Sequence, residues 1–142
     1  MSDQFMTIID NLAAGLPSLL GHFFATLLLL AAAVAIYMAV TPFRERALVE
    51  QGNAAAGTVL AGAIVAMAIP LAVLLATSGL IVDIIVWGVI TLLLQLMTVG
   101  LVSLLLHGLR KRIDAGNVAA AMVLAAAQIA VGLLNAAVMV PN

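Results

Sequence analysis

Gln95 and Gln128 each fall near the middle of a long apolar run, and no other residues constrain the chemistry of this chain as strongly. An amide moved unpaired from water into hydrocarbon costs about 4–8 kcal/mol, so both side chains must face protein. On helices, Gln128 shares its face with Ala121, Ala125, Gly132, Asn135 and Ala136, and Gln95 shares one with Gly88, Thr91 and Thr98. Small residues beside amides suit close helix packing with interhelical hydrogen bonds, each worth about 0.6–2 kcal/mol. The first reading is therefore amide glue, between spans or between protomers. The alternative is a polar path for a solute, an ion or a lipid along Gln95, Gln128 and Asn135, since polar groups within a membrane often mark pathways.

A second constellation could hold an anion. Gly52-Asn53 and Gly116-Asn117 lie 64 positions apart, each after a charged patch and before an Ala-rich run. At that offset, identities fall at Gly52, Asn53, Ala55, Ala56, Val59, Leu60, Ala61, Ala63, Ala66 and Ala72, which predicts one membrane hairpin written twice. Each Asn is predicted to cap the helix that follows. Ala56 and Ala120 stand where a capping box would need Glu or Gln. Two helix starts near Arg44, Arg46, Arg110, Lys111 and Arg112 could hold an anionic lipid headgroup or an acidic peripheral partner. The same cations could serve topology alone. At midplane the copies differ, because Ala31 and Ile64 occupy the positions of Gln95 and Gln128.

Catalysis is not expected. The chain has no cysteine and two histidines, His22 and His107, near opposite ends of their spans. Its carboxylates lie toward the membrane faces, and no phosphate-loop pattern occurs. No catalytic, cofactor or metal residue is expected, and nucleic acid is not an expected partner. A rotor proteolipid, which needs a midplane acid, is excluded by Ile64 and Gln128 at the plausible sites. Asp83 reads as an interfacial helix-start residue.

The elements that must position these residues follow from composition. With 66% apolar residues, 8% charged and a mean hydropathy of +1.33, the chain cannot coat a soluble domain, which is about 25% charged. Four runs, at 19–41, 54–77, 83–107 and 118–140, each meet the roughly 20 residues that a hydrocarbon core demands of a helix. The fold class is thus an all-α membrane protein: four transmembrane helices in two two-helix repeats of the same orientation, related by a pseudo-twofold axis along the membrane normal. A short amphipathic helix is expected to precede them, with Phe5, Ile8, Ile9, Leu12 and Leu16 on one face and a break at Gly15-Leu16-Pro17. The expected units are an N-terminal interfacial segment 1–18, a first hairpin 19–77 and a second hairpin 78–142.

All five Lys and Arg residues lie between spans one and two or between spans three and four. Asp3, Asp10 and Asp83 lie at or near the other face, so the positive-inside rule places both charged loops in the cytoplasm and both termini outside. Pro70 should kink span two. Ala54, Thr58, Gly62 and Ala66 form a small-residue stripe on it. Tyr37 and Trp87 read as interfacial anchors.

Tyr37, Thr41-Pro42, Glu45, Asn53-Ala54-Ala55, Ile69-Pro70-Leu71, Trp87-Gly88, Gln95-Leu96, Asn117 with Ala119-Ala120, and Asn135-Ala136-Ala137 with Met139 occur in that order. In these residues, over roughly 20–140, the chain resembles the YjfL-like small bacterial inner-membrane proteins, a family of unknown function. The resemblance implies a paired two-helix domain in the plasma membrane, often alongside stress-associated peripheral membrane proteins of the phage-shock type. It brings no catalytic or binding residue. The expected function is a noncatalytic, homo-oligomeric component of the bacterial inner membrane. Its basic loops would meet membrane lipids or a peripheral cytoplasmic membrane protein.

Overall fold

The computed structural model describes residues 2–140, and side chains from residue 4 onward. Positions 1, 141 and 142 lie outside the described residues, as do the side chains of Ser2 and Asp3, which the sequence assigned to the N-terminal segment. Six helices follow in order: α1 (Ser2–Val40), α2 (Glu45–Glu50), α3 (Ala54–Thr77), α4 (Ile81–Leu105), α5 (Leu109–Asp114) and α6 (Val118–Met139). α1, α3, α4 and α6 are long and apolar enough to cross a membrane. Their bounds agree with the expected spans to within three residues, except at the start of the first.

That start is the main departure. A separate helix ending near Pro17 is not found, because α1 runs without interruption through Gly15 and Pro17 for 39 residues. Pro17 removes one N–H donor, to the Ala13 carbonyl, but its fixed φ is helical, so the chain continues with that bond missing. At about 1.5 Å per residue, α1 is about 58 Å long, against a hydrocarbon core of about 30 Å. Along its first half, Phe5, Met6, Ile8, Leu12 and Leu19 are exposed.

The tightest pairing is α3 with α6. Gly62 of α3 lies so close to α6 that an added Cβ would stand 2.5 Å from the Ala125 Cβ, and an added Cβ on Gly132 would collide with the Ala66 carbonyl. That carbonyl is the one Pro70 cannot bond, since proline has no N–H to return to position 66. α3 continues through a buried Pro70, and the missing side chain of Gly132 lets α6 close over the Ala66 oxygen.

α3 also touches α1 and α4, whereas α6 touches mainly α3 and α4. The two hairpins therefore have different surroundings, and positions equivalent by the 64-residue offset point differently. Ile64 is 37% exposed where Gln128 is fully buried, and Tyr37 is fully buried where Leu101 is 60% exposed. The two hairpins thus bury different faces. The small-residue stripe is likewise displaced: Gly62 and Ala66 are buried, Ala54 is exposed.

Candidate functional site

At one end of the bundle the two charged loops form a single rim. Each is a short amphipathic helix: Glu45, Leu109 and Ile113 are buried, and the neighbouring charges face out. Both terminate alike. Gly52 and Gly116 adopt left-handed φ of 79° and 80°, which glycine accepts without Cβ strain. The Gly52 N–H donates to the Val49 carbonyl and the Asn53 N–H to the Leu48 carbonyl, both at 2.9 Å. Gly116 and Asn117 repeat this to Ile113 (2.9 Å) and Arg112 (2.8 Å). This is the Schellman closure, which satisfies carbonyls at the end of one helix just before the next begins.

The asparagines then cap α3 and α6, as the sequence predicts. Asn53 Oδ1 accepts the Ala56 N–H, and Asn117 Oδ1 the Ala120 N–H, each at 3.0 Å. Asn53 does more. Its Nδ2 donates to the Ile113 carbonyl (3.0 Å) and the Asp114 carbonyl (3.3 Å), so the first hairpin grips the end of α5 in the second.

The five cations sit on these loops. Arg46 pairs with Glu50 at 3.2 Å and Arg110 with Asp114 at 3.8 Å, both exposed and four residues apart. Such pairs add little stability. Among the described residues, Arg44, Lys111 and Arg112 have no acidic partner.

Inside the bundle, Gln95 and Gln128 face protein, with 1% and 0% of their surface exposed. Gln95 Nε2 donates to the Gln128 backbone carbonyl at 3.2 Å, and Gln128 Nε2 to the Tyr37 hydroxyl at 2.7 Å. Asn135 Nδ2 donates to Thr91 Oγ1 at 2.8 Å. The amides thus join α4 to α6 and α6 to α1 within one chain. Gln95 Oε1 and Gln128 Oε1 have no hydrogen-bond partner among the described residues although both are buried.

Tyr37 corrects an expectation. Read as an interfacial anchor, it is a fully buried core residue whose hydroxyl meets Gln128. Its position near a span end masked this, since a tyrosine there suits either role. Trp87, by contrast, is 40% exposed.

Glu45 is the residue that sequence reasoning passed over. Although it lies in a charged loop, it is 1% exposed. The Thr41 hydroxyl lies 2.8 Å from Glu45 Oε1 and 2.9 Å from the Tyr37 carbonyl, with one proton to donate between them. Glu45 Oε2 has no partner among the described residues. Burial raises the carboxyl above its ordinary range, against the lowering effect of its hydrogen bonds. The available signal was spacing: Tyr37, Thr41 and Glu45 recur every four residues. Beside Glu45 is a cleft of ≈ 420 Å³ lined by Met38, Phe43, Arg44, Arg46, Ala47 and Glu50 as well.

Among the described residues, no three His, Asp or Glu side chains converge in a way that could hold a metal ion. His22 Nδ1 lies 2.8 Å from the Ser18 carbonyl, within its own helix.

Residues 11–139 match the family described as Domain of Unknown Function (DUF350). The chain belongs to this family. It is 32% identical over 134 residues to the UPF0719 inner membrane protein YjfL of Escherichia coli K12, covering 94% of this chain and 98% of that protein. The same figures hold for the YjfL of Escherichia coli O157:H7. No solved structure matches significantly. With four apolar helices long enough to span and a relative named for the inner membrane, this DUF350 chain is a multi-pass inner-membrane protein.

Proposed function

We propose that this DUF350 chain is a noncatalytic, homo-oligomeric inner-membrane component that presents its basic rim to anionic lipid or to a peripheral membrane protein of an envelope-stress response. The rim would face the cytoplasm and both termini the outside, following the distribution of Lys and Arg. The observation that carries this reading is the bond from Asn53 Nδ2 to the carbonyls of Ile113 and Asp114. It couples the two loops that carry Arg44, Lys111 and Arg112, cations without an acidic partner among the described residues. Cations of this kind near a leaflet attract anionic surfaces by about 1 kcal/mol each.

Replacing Arg110, Lys111 and Arg112 by glutamine should reduce retention of anionic lipid, or of a copurifying peripheral protein, at low salt. Unchanged retention would end this reading.

A second reading, permeation past Gln95, Gln128 and Asn135, is favoured by the two buried oxygens that lack donors. Flux through liposomes should then vanish in the Gln95→Leu/Gln128→Leu double variant while the protein still assembles. Flux that persists would remove this path, and loss of assembly would leave the amides as packing groups.

A further inference from the structure

The cleft at the foot of α1 is lined by a cation and a carboxyl that lack ion-pair partners among the described residues. Arg44 has no acidic partner among the described residues, and Glu45 has a buried oxygen without a donor. They are adjacent in sequence but do not pair with each other, as expected at the start of a helix, where consecutive side chains diverge. The other charged residues of the cleft, Arg46 and Glu50, pair with each other.

We propose that this cleft binds the headgroup of an aminophospholipid, with the phosphate at Arg44 and the primary ammonium at Glu45. An anion alone would meet Arg44 but set a negative charge beside Glu45. A cation alone would do the reverse. A zwitterion of phosphate and primary amine answers both, and its N–H groups are the donors that Glu45 Oε2 lacks. The remaining lining points to a lipid rather than a free phosphoamine. Met38 and Phe43 give the cleft an apolar wall, and it lies at the end of a membrane-spanning helix, where headgroups sit and acyl chains can follow α1. This site shares Arg44 and Arg46 with the rim proposed above, but it calls for a zwitterion and does not involve Arg110, Lys111 or Arg112.

The test uses the full chain in vesicles of matched acyl composition that contain phosphatidylethanolamine, its mono-, di- and trimethylated forms, and phosphatidylglycerol. Lipid retained after extraction is read by native mass spectrometry. Retention should fall stepwise, several-fold in all, as methyl groups replace N–H donors. Glu45→Gln should flatten that series, and Arg44→Gln should lower every member of it. Arg110→Gln/Lys111→Gln/Arg112→Gln should leave the series intact while lowering phosphatidylglycerol, which separates this site from the anionic-lipid reading. Equal retention of the methylated forms by the unaltered chain would overturn the proposal, as would a series that survives Glu45→Gln. If Glu45→Gln fails to fold, the methylation series on the unaltered chain decides the matter alone.

Discussion

The two hairpins agree where they turn and disagree where they pack. At the turns, Gly52 and Gly116 share a left-handed φ, and Asn53 and Asn117 cap with equal 3.0 Å bonds. The pairs Arg46–Glu50 and Arg110–Asp114 also recur at the same spacing. One turn into each loop the likeness fails, for Glu45 is buried where its counterpart is a buried Leu109. At midplane it fails again, with Gln128 buried and Ile64 partly exposed. Helix closure uses local backbone geometry, which a Gly-Asn pair after a short helix is enough to produce. Packing depends on neighbours, and α3 has more of them than α6.

That contrast can be broken most forcefully at the α3–α6 contact. Gly132→Ala places a Cβ against the Ala66 carbonyl, and a backbone oxygen cannot rotate away. The expected loss is at the upper end of about 1–3 kcal/mol, read by chemical unfolding in detergent, whereas Ala68→Gly at the equivalent place should have a much smaller effect. Next, Gln128→Leu should cost about 1–3 kcal/mol by leaving buried partners without their bond. Ile64→Leu, a volume-conserving change, should cost less, and equal losses would contradict the assigned faces.

Asn53→Ala should then exceed Asn117→Ala by about 1 kcal/mol. Both lose a cap worth about 0.5–2 kcal/mol, but only Asn53 also loses its bonds to Ile113 and Asp114. The smallest contrast concerns pH. Because the folded carboxyl of Glu45 is raised by burial, its contribution is fully present below the unfolded pKa and is lost as pH rises through the folded one. The melting temperature of the unaltered chain should therefore fall on that rise. Glu45→Leu, which copies Leu109, should remove the dependence, and a variant that keeps it would assign the effect to another group.

Much of this was legible from residue types. Spans were visible because no soluble surface could be built from so few charges, and the amides had to face protein because hydrocarbon offers them no partner. The capping asparagines were visible because Gly-Asn ahead of an alanine run leaves few other roles. What stayed hidden was helix rotation. α3 is apolar on every side, so hydropathy cannot say which side meets α6, and Tyr37 could turn inward without any change in pattern. Glu45 was obscured by its charged neighbours, which mark the loop as wet although this one side chain is not. Pro17 misled because a proline that often ends a helix removes only one hydrogen bond when it does not.

α1 exceeds the hydrocarbon thickness by almost half its length. In a bilayer, such a helix must tilt, bend or leave apolar residues in water, and the balance shifts with membrane thickness. A thinner bilayer uncovers Leu16, Leu19 and Leu20, which are exposed in the isolated chain, and a thicker one shelters them. The extent of α1 that is wet is therefore a gauge of the bilayer around it, written along a helix whose other end is fixed to the core through Tyr37.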